Sequence, residues 1–564
     1  MIRKTNHSCA LWLPVTTALL LAPSAEANTL TVTRTNDSGP ASLRRAIQDA
    51  AAGDTINLAV TGTITLTSGE LLLSKNVTLA GPGADRLDVS GNAASRVFNV
   101  ASNATVNLSG LTLRNGRAPD GATAGARGGN GGAIYNAGIL TITACAISGN
   151  SAGNASTAFS ANIGVGGEGG AGGGICNIGN LSLTACTVSS NTAGAGGRGV
   201  TGGAGGAGGA IYNAGTLVLL DSTVSSNTAG RGGVSNVGRP GPLGGHGGAI
   251  YNAGSLAVTA GTLSGNRAGQ GGAGMNTRAG NGGNGGGIYN AASASPANLR
   301  STLVGLNTSG AGGRGTGFGQ PGSNGIGWDL FGAFTSQSHN LIGAPYPSTG
   351  FTNGVNADLV GVSDPMLGPL QNNGGPTPTL ALLPGSPALD AGDDSLPGAP
   401  FNLATDQRGL ARRSGPRVDI GAFERQVAVA RLRRDNLTRS GDRVDSVAIG
   451  FQTTIESRAA VRPLRKDGNF HGTTAEAGTV SQWMAPPSTY SFSSISRSSD
   501  GSIVLTASGP AHQAFRLWAS PDLAQPFSGW ILLSSGSFGP DGQMSFSDSE
   551  AAEQDSPIYR LSQP

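Results

Sequence analysis

The stretch Gly-Ala-Ile-Tyr-Asn-Ala-Gly at residues 132–138 decides the fold, because close copies of its centre recur through the middle of the chain. The copies read Ile-Tyr-Asn or Ile-Cys-Asn and lie at residues 134–136, 175–177, 211–213, 250–252 and 288–290. Their isoleucines are separated by 41, 36, 39 and 38 residues. A repeat of about 20–50 residues indicates a stacked array of structural units.

Each unit continues with alternating apolar residues, such as Leu140 and Ile142, then a corner of small residues, then a second short apolar stretch ending near Ile147. Alternation over four to six residues is typical of strands rather than helices. Three short strands separated by corners make one coil. The pattern therefore predicts an all-β fold, a right-handed parallel β-helix whose coils stack at a spacing of about 4.8 Å.

Two columns of asparagine recur at fixed places in the coil, and we expect both to form corner ladders. Asparagine tolerates left-handed backbone, and its amide can bond the amide of the next coil. Contact with a ligand is the alternative role for these side chains. The first column contains Asn136, Asn177, Asn213, Asn252 and Asn290, and the second contains Asn150, Asn191, Asn227, Asn266 and Asn307.

Two further columns suggest sites. If the repeated isoleucine points inward, alternation sends the next residue outward, which places Tyr135, Tyr212, Tyr251 and Tyr289 on the surface. Such a column could stack on sugar rings or on a partner surface, unless the inserts cover it. Cys145 and Cys186 occupy the same position in adjacent units. Direct stacking would bring their Cα atoms within disulfide range, so we predict a buried pair that can be oxidised.

Glycine supplies 95 of the 564 residues, and much of it lies in inserts between coils, such as 194–208 and 269–286. The chain as a whole has no Gly-X-Y period, which excludes collagen. Runs of Gly-Gly-X permit extended glycine strands that pack closely. Flexible loops are the alternative. In either case the inserts leave one corner and should emerge on one face.

The rest of the chain divides by composition. Residues 1–27 have the layout of a secretory signal peptide, and no second apolar run could span a bilayer in the mature chain. The amphipathic stretch 41–51 predicts a helical N-terminal cap. We expect the β-helix with this cap over 28–345, the last coils and a C-terminal cap over 346–424, an Arg-rich linker over 425–484, and a small antiparallel β-sandwich over 485–564 that is a possible attachment module.

The coil unit resembles that of bacterial right-handed parallel β-helix proteins. The segments Asp-Pro-Met-Leu-Gly-Pro-Leu (364–370), Leu-Pro-Gly-Ser-Pro-Ala-Leu-Asp-Ala-Gly (383–392), Thr-Asp-Gln-Arg-Gly (405–409) and Val-Asp-Ile-Gly-Ala-Phe-Glu (418–424) resemble the choice-of-anchor Q domain. The resemblance covers about 28–424. It implies a secreted solenoid or one on the outer cell surface of a bacterium, with differing C-terminal attachments, and no single enzymatic activity.

The sequence does not bring candidate catalytic residues together at one place in the predicted coils. Glycoside hydrolysis needs a carboxylate pair, and a lyase needs a metal-binding carboxylate set with a base. Between residues 97 and 340 the acidic residues are scattered, and Asp221 occupies a corner position that holds alanine in other coils. Near the cap, we expect Arg408 to pair with Asp419 or Glu424 as a structural lock. No cofactor or metal is predicted, and a net charge of +3 argues against nucleic acid as a partner.

The sequence favours a non-catalytic structural or adhesive protein whose partner is an extracellular glycan or an envelope surface. A polysaccharide lyase or glycoside hydrolase on the same scaffold is the leading alternative, so enzymatic activity stays uncertain. A pure glycan-binding module is a third class. An enzyme should place at least two carboxylates and a basic residue within about 10 Å in a groove.

Overall fold

The computed structural model describes residues 27–158, 164–426, 429–431, 491–497, 502–509, 511–520, 531–548 and 558–562. The predicted signal peptide, apart from its last residue, and most of the predicted linker lie outside these residues. Nearly all regular structure is β. Three long parallel sheets, here called A, B and C, run side by side along the chain from residue 29 to residue 360. The prediction of a parallel β-helix is confirmed.

Sheet A contains Thr29–Val32, Thr55–Leu58, Val77–Ala80, Thr105–Ser109, Ile139–Thr143, Asn180–Thr184, Thr216–Leu220, Ser255–Thr259, Ala297–Arg300 and Phe334–Ser338. Sheet B contains Gly62–Thr65, Leu87–Ser90, Thr112–Arg114, Ala146–Ser148, Thr187–Ser189, Thr223–Ser225, Thr262–Ser264, Leu303–Gly305, Leu341–Ile342 and Leu359–Val360. Sheet C contains Leu71–Leu73, Phe98–Val100, Ile134–Asn136, Ile175–Asn177, Ile211–Asn213, Ile250–Asn252, Ile288–Asn290 and Leu330–Phe331.

Identical positions of successive coils lie in register, which builds the core from columns of like side chains. Ile134 pairs with Ile175, which pairs with Ile211. Leu140 pairs with Leu181 in the same way on sheet A. These side chains are at most 2% exposed. Burial of each such side chain contributes about 1.5–3 kcal/mol to the stability of the fold. Because the columns run from coil to coil, every coil that stacks extends one continuous apolar interior.

A short helix, Leu43–Asp49, packs against the first strands, as the amphipathic pattern predicts. The Ser42 hydroxyl caps it by accepting a hydrogen bond from the backbone N–H of Arg45 at 3.3 Å. Leu43 and Ala46 are buried in the same core cluster as the first coils. The helix therefore covers apolar surface that the first coil would otherwise leave exposed.

The glycine-rich inserts connect sheet B to sheet C, and we call them the glycine arms. Each arm has an outgoing and a returning limb, and the limbs of successive coils alternate in hydrogen bonding. Gly194 donates to the carbonyl of Gly170 at 2.8 Å, Gly206 to that of Gly194 at 2.8 Å, and Gly230 to that of Gly206 at 2.8 Å. The arms are thus a hydrogen-bonded layer and not open loops. At their tips Val234–Val237, Ala273–Met275 and Gly315–Thr316 form a three-stranded parallel sheet.

Residues 364–426, here called the lateral segment, lie along the outer face of sheet B, although the sequence suggests a cap at the end of the solenoid. The segment contains a hairpin, Leu367–Gln371 with Thr379–Leu382, and follows a 3₁₀ turn at Val355–Ala357. Gln407 donates to the hydroxyl of Thr187 at 2.8 Å and accepts from that of Thr223 at 2.6 Å. The threonine hydroxyls on the outer face of sheet B thus supply hydrogen-bond partners that hold the lateral segment against the sheet.

The C-terminal region forms two small antiparallel sheets. One contains Val429–Arg431, Ile558–Ser562, Ala514–Ser520 and Ile531–Ser537, and the other contains Ser491–Arg497, Ile503–Ser508 and Gln543–Asp548. Leu505, Leu517 and Phe538 are buried in their common core cluster. The strand at 429–431 belongs to the stretch that composition suggests is a linker. Among the described residues no helix has the length and apolarity needed to cross a membrane.

Candidate functional site

The outer face of sheet C carries a row of aromatic side chains, one per coil with a single interruption. We call this row the aromatic ladder. Backbone pairing places Tyr212 beside Tyr251 and Tyr251 beside Tyr289, while the inward neighbours are the buried isoleucines. Each ring is partly buried. The members are Tyr135, Tyr212, Tyr251, Tyr289 and Phe331.

Ring stacking makes the ladder continuous from Tyr212 to Phe331. The ring centroids of Tyr212 and Tyr251 are 5.3 Å apart with an interplanar angle of 4°. Those of Tyr251 and Tyr289 are 5.1 Å apart at 6°, and Phe331 follows at 4.8 Å and 3°. The rings therefore cover each other's faces. What they present outward is a row of ring edges and hydroxyl groups, which differs from the open stacking platform that alternation alone suggests.

The hydroxyl groups of the four tyrosines are the polar part of the ladder. Within the described residues none of the four has a hydrogen-bond partner. Partial burial of the rings raises the pKa of Tyr251, and the neighbouring Tyr289 and Tyr212 raise it further. The hydroxyls consequently stay protonated at neutral pH, and each can donate and accept one hydrogen bond to a polar partner.

Cys176 interrupts the ladder between Tyr135 and Tyr212. Its side chain is 1% exposed, and burial raises the pKa of the thiol to about 12. The thiol is therefore protonated and a poor nucleophile. Tyr135 has Arg96 as its partner instead, whose guanidinium carbon lies 5.6 Å from the ring centroid. Arg96 in turn forms an ion pair with Glu70.

His246, on a returning glycine limb, borders the ladder. Its ring stacks on Tyr289 with a centroid distance of 4.6 Å. Its Nδ1 accepts a hydrogen bond from the backbone N–H of Asn284 at 2.8 Å, so the imidazole is neutral when this bond is made. Burial lowers the pKa of His246, which agrees with the neutral form. The arms therefore contact the ladder at Tyr289.

The first asparagine column is a buried amide ladder at the corner between sheets C and A. Asn136 Nδ2 donates to Asn177 Oδ1 at 2.7 Å, and Asn177 Nδ2 donates to Asn213 Oδ1 at 2.7 Å. The chain of bonds continues through Asn252 to Asn290 at 2.6 Å per step. All five side chains are at most 1% exposed. Their role is structural, since no ligand could reach them without opening the corner.

The second column, at the corner where the glycine arms leave, behaves in the same way. Asn191 Nδ2 donates to Asn227 Oδ1 at 3.0 Å, and every amide points in the same direction along the solenoid. The last donor, Asn307, meets the carboxylate of Asp329 at 2.8 Å, a group that only accepts. The asparagines themselves do not have left-handed backbone. The residues before them do, for example Ser190 with a φ of 56°.

Cys145 and Cys186 occupy adjacent coils directly before the paired strands Ala146–Ser148 and Thr187–Ser189. Both are buried and both are free thiols in the structure. Cys186 Sγ contacts the carbonyl oxygens of Thr184 and Ile142 at 3.2 and 3.4 Å. Burial raises the pKa of Cys186 to about 12. Oxidation of the pair stays a prediction.

The lateral segment brings a buried charge cluster onto the solenoid. Arg412 is fully buried, and its Nη1 lies 3.4 Å from Asp221 Oδ1, the one acidic residue in its corner column. Burial raises the pKa of Asp221 to about 7, opposed by the charge of Arg412. Burial also raises the pKa values of Asp419 and Glu424, which lie beside the same guanidinium. Substrate has no access to these groups.

The expected pairing of Arg408 with Asp419 or Glu424 is wrong. Arg408 Nη2 forms an ion pair with Asp406 Oδ2 at 2.7 Å, and its guanidinium carbon lies 3.7 Å from the ring centroid of Phe423. Glu424 accepts a hydrogen bond from Arg408 through its backbone carbonyl and not through its carboxylate. Arg408 therefore braces the segment internally, because Asp406 is two residues away and already held by backbone donors.

A second charged cluster joins the segment to sheet A. Arg417 lies 2.9 Å from His339 Nε2 and forms an ion pair with Asp394 at 3.1 Å. Arg300 forms an ion pair with Asp393. Carboxylates and bases do meet here, but Arg300 and His339 belong to the solenoid while their partners belong to the segment. The charged groups are therefore paired with each other across the contact between the solenoid and the lateral segment.

Sequence reasoning missed Phe331 because its coil lacks the Ile-Tyr-Asn motif, and it missed Arg412 because nothing in a linear pattern links residues 221 and 412. The lone aspartate in a column of alanine was the available signal for that partner.

Within the described ranges no group of three or more His, Cys, Asp or Glu could hold a metal ion. No protein-family model matches the chain, and no curated protein matches it.

Proposed function

We propose that this protein is a non-catalytic structural or adhesive element, secreted or displayed on the outer surface of a bacterium, that attaches to an extracellular glycan or envelope surface through the aromatic ladder. The observation that supports this proposal is the ladder itself: partly buried rings, stacked at 4.8–5.3 Å, that run along one face. A repeating row of hydroxyls suits a repeating polar polymer better than a compact small molecule.

The contact would be made by ring edges and hydroxyls, since the ring faces are already occupied by neighbouring rings. Each tyrosine-bearing coil offers one apolar edge and one hydroxyl that has no partner among the described residues. An extended glycan also repeats one ring and several hydroxyls per unit. The choice-of-anchor Q resemblance and the C-terminal antiparallel sheets fit a display role, in which the C-terminal module attaches the solenoid to the cell.

The ladder is tested by binding to a glycan array and to isolated envelope material, together with cell fractionation. Replacing both Tyr212 and Tyr251 with alanine should weaken binding by about tenfold or more, because loss of buried aromatic contacts typically costs over ~1.4 kcal/mol. The matched control is Leu220→Ala, an outward residue of sheet A. Equal binding by the double variant and the wild-type protein would contradict the proposal.

Enzymatic activity is the competing function, and the meeting of Asp393, Asp394, Arg417 and His339 is the observation in its favour. Incubation of the purified protein with plant, algal and bacterial polysaccharides distinguishes the two. We expect no release of reducing ends and no unsaturated product. Depolymerisation that Asp394→Asn abolishes would replace the adhesive proposal with a catalytic one.

A further inference from the structure

The N-terminal end of the solenoid carries two adjoining concavities that the aromatic ladder does not include. One has a volume of about 420 Å³ and is lined by Thr63 and Thr65 of sheet B and by the loop 35–38. The other has a volume of about 580 Å³ and lies against the helix Leu43–Asp49. Ser38 lines both, so the two form one continuous surface. Both concavities are open at the surface, so a ligand could enter either without a change in the backbone.

The wall of this surface is held rigidly. Asp37, which is 7% exposed, accepts hydrogen bonds from the backbone N–H groups of Thr67 at 3.0 Å and Ser68 at 2.8 Å. The guanidinium of Arg44 donates to the same carboxylate at 2.8 Å. These bonds lower the pKa of Asp37 against the opposing effect of burial. The loop 35–38 is therefore fixed against sheet B before any ligand arrives, which reduces the entropic cost of binding.

Polar groups without internal partners line the concavity. Within the described residues, the side chains of Thr35, Asn36, Ser38 and Thr65 make no hydrogen bond. The hydroxyl of Thr63 accepts from Arg114 at 3.3 Å. Hydroxyl and amide groups both donate and accept, which is the chemistry that matches the vicinal hydroxyls of a sugar.

The charges around the surface cancel locally. Arg44 is paired with Asp37 at 2.8 Å, Arg45 with Asp49 at 2.6 Å, and Arg114 with Asp88 at 2.6 Å. Both arginines that line the concavities are therefore already paired, so an anion gains little here, and an apolar ligand finds few apolar side chains. A neutral ligand rich in hydroxyls fits both restrictions.

We infer that this N-terminal surface binds a short neutral oligosaccharide. The first sugar lies over Thr63 and Thr65, and the chain passes Ser38 toward the helix. The site is separate from the aromatic ladder and does not depend on the function proposed for it.

The experiment is saturation-transfer NMR and calorimetry of the full chain with neutral di- to tetrasaccharides of gluco, galacto and manno configuration. Thr65→Val keeps the shape and removes the hydroxyl, and Asn36→Ala acts on the exposed loop. Each should weaken binding by about tenfold, the effect of leaving a sugar hydroxyl unpaired. Thr141→Val, outward on sheet A, is the control for folding and for surface hydroxyl loss.

The double variant Tyr212→Ala, Tyr251→Ala distinguishes the N-terminal site from the ladder. Binding that survives this variant but falls in Thr65→Val and Asn36→Ala supports the N-terminal site. Absence of binding to every oligosaccharide overturns the inference. Binding that is indifferent to Thr65→Val and Asn36→Ala overturns it as well, and leaves the proposal for the ladder to its own test.

Discussion

Each buried asparagine in the middle of the second column uses both its amide oxygen and its amide nitrogen in hydrogen bonds, as Asn227 illustrates. Asn227 Oδ1 accepts from the backbone N–H and from Nδ2 of Asn191, while Asn227 Nδ2 donates to Asn266 and to the carbonyl of Val188. A corner of a coil otherwise leaves backbone groups without partners. The side chain resolves this because an amide carries both a donor and an acceptor, so it can join coils in either direction.

Asn227→Ala should lower the free energy of unfolding by about 3 kcal/mol, because it leaves the buried backbone N–H of Asn191 without a partner. It also removes the side-chain bonds that join Asn227 to Asn191 Nδ2 and to Asn266 Oδ1. Thermal unfolding followed by circular dichroism measures the loss. The control is Asn107→Ala, an exposed asparagine on sheet A with one long contact, at 3.4 Å to Thr78. Equal stability of the two variants would show that the ladder does not hold the corner.

The glycine arms require glycine because the backbone of a neighbouring limb occupies the space that a side chain would need. A Cβ on Gly203 would lie 1.7 Å from the carbonyl oxygen of Gly167, and one on Gly206 would lie 2.0 Å from that of Gly170. The two positions are three residues apart on both limbs. A period of three in the sequence therefore corresponds to a period of three in contact with the preceding coil. Gly205 faces the next coil, where a Cβ would lie 1.9 Å from the carbonyl oxygen of Gly230, and only the third position, Ala204, carries a side chain.

Gly206→Ala should destabilise the arms by at least ~2 kcal/mol, because the backbone of two limbs must separate to admit one methyl group. Hydrogen exchange at residues 194–208, read by mass spectrometry, should rise in this variant. Ala204→Ser, in the same limb, adds an atom at a partly exposed position and should leave exchange unchanged. Protection that is the same in both variants would contradict close packing of the limbs.

At the scale of the whole molecule, the lateral segment and the solenoid share one interface that contains both apolar and charged groups. Ile420 and Phe423 pack against Leu303 and Leu341 of sheet B. Beside them Asp221 faces Arg412 and Asp406, and Glu424 faces Arg412 and Asp419. Carboxylates outnumber the guanidinium groups in this cluster. Burial raises the pKa values of Asp221, Asp419 and Glu424, so docking of the segment becomes linked to pH.

The pKa of Asp221 is raised from its ordinary value near 4 to about 7, so the folded protein binds a proton that the unfolded chain has released. Its contribution to stability is fully present below the ordinary value and is lost as the pH rises through about 7. The loss amounts to ~1.4 kcal/mol for each pH unit that separates the folded and unfolded pKa values. Unfolding at pH 5 and pH 8 should therefore show a smaller fall in stability for Asp221→Asn than for the wild-type protein. Asp49→Asn, an exposed carboxylate, should behave as wild type.

The repeat alone determined the class of fold, because alternation assigns inward and outward positions and a constant motif forces like residues into register. It also determined which tyrosines and asparagines share a column. Stacking of the tyrosine rings on each other, the path of the lateral segment and the meeting of Asp221 with Arg412 were decided only by the tertiary structure. Ring rotamers and contacts between residues almost two hundred positions apart depend on how surfaces fit in space, and no local period encodes that fit.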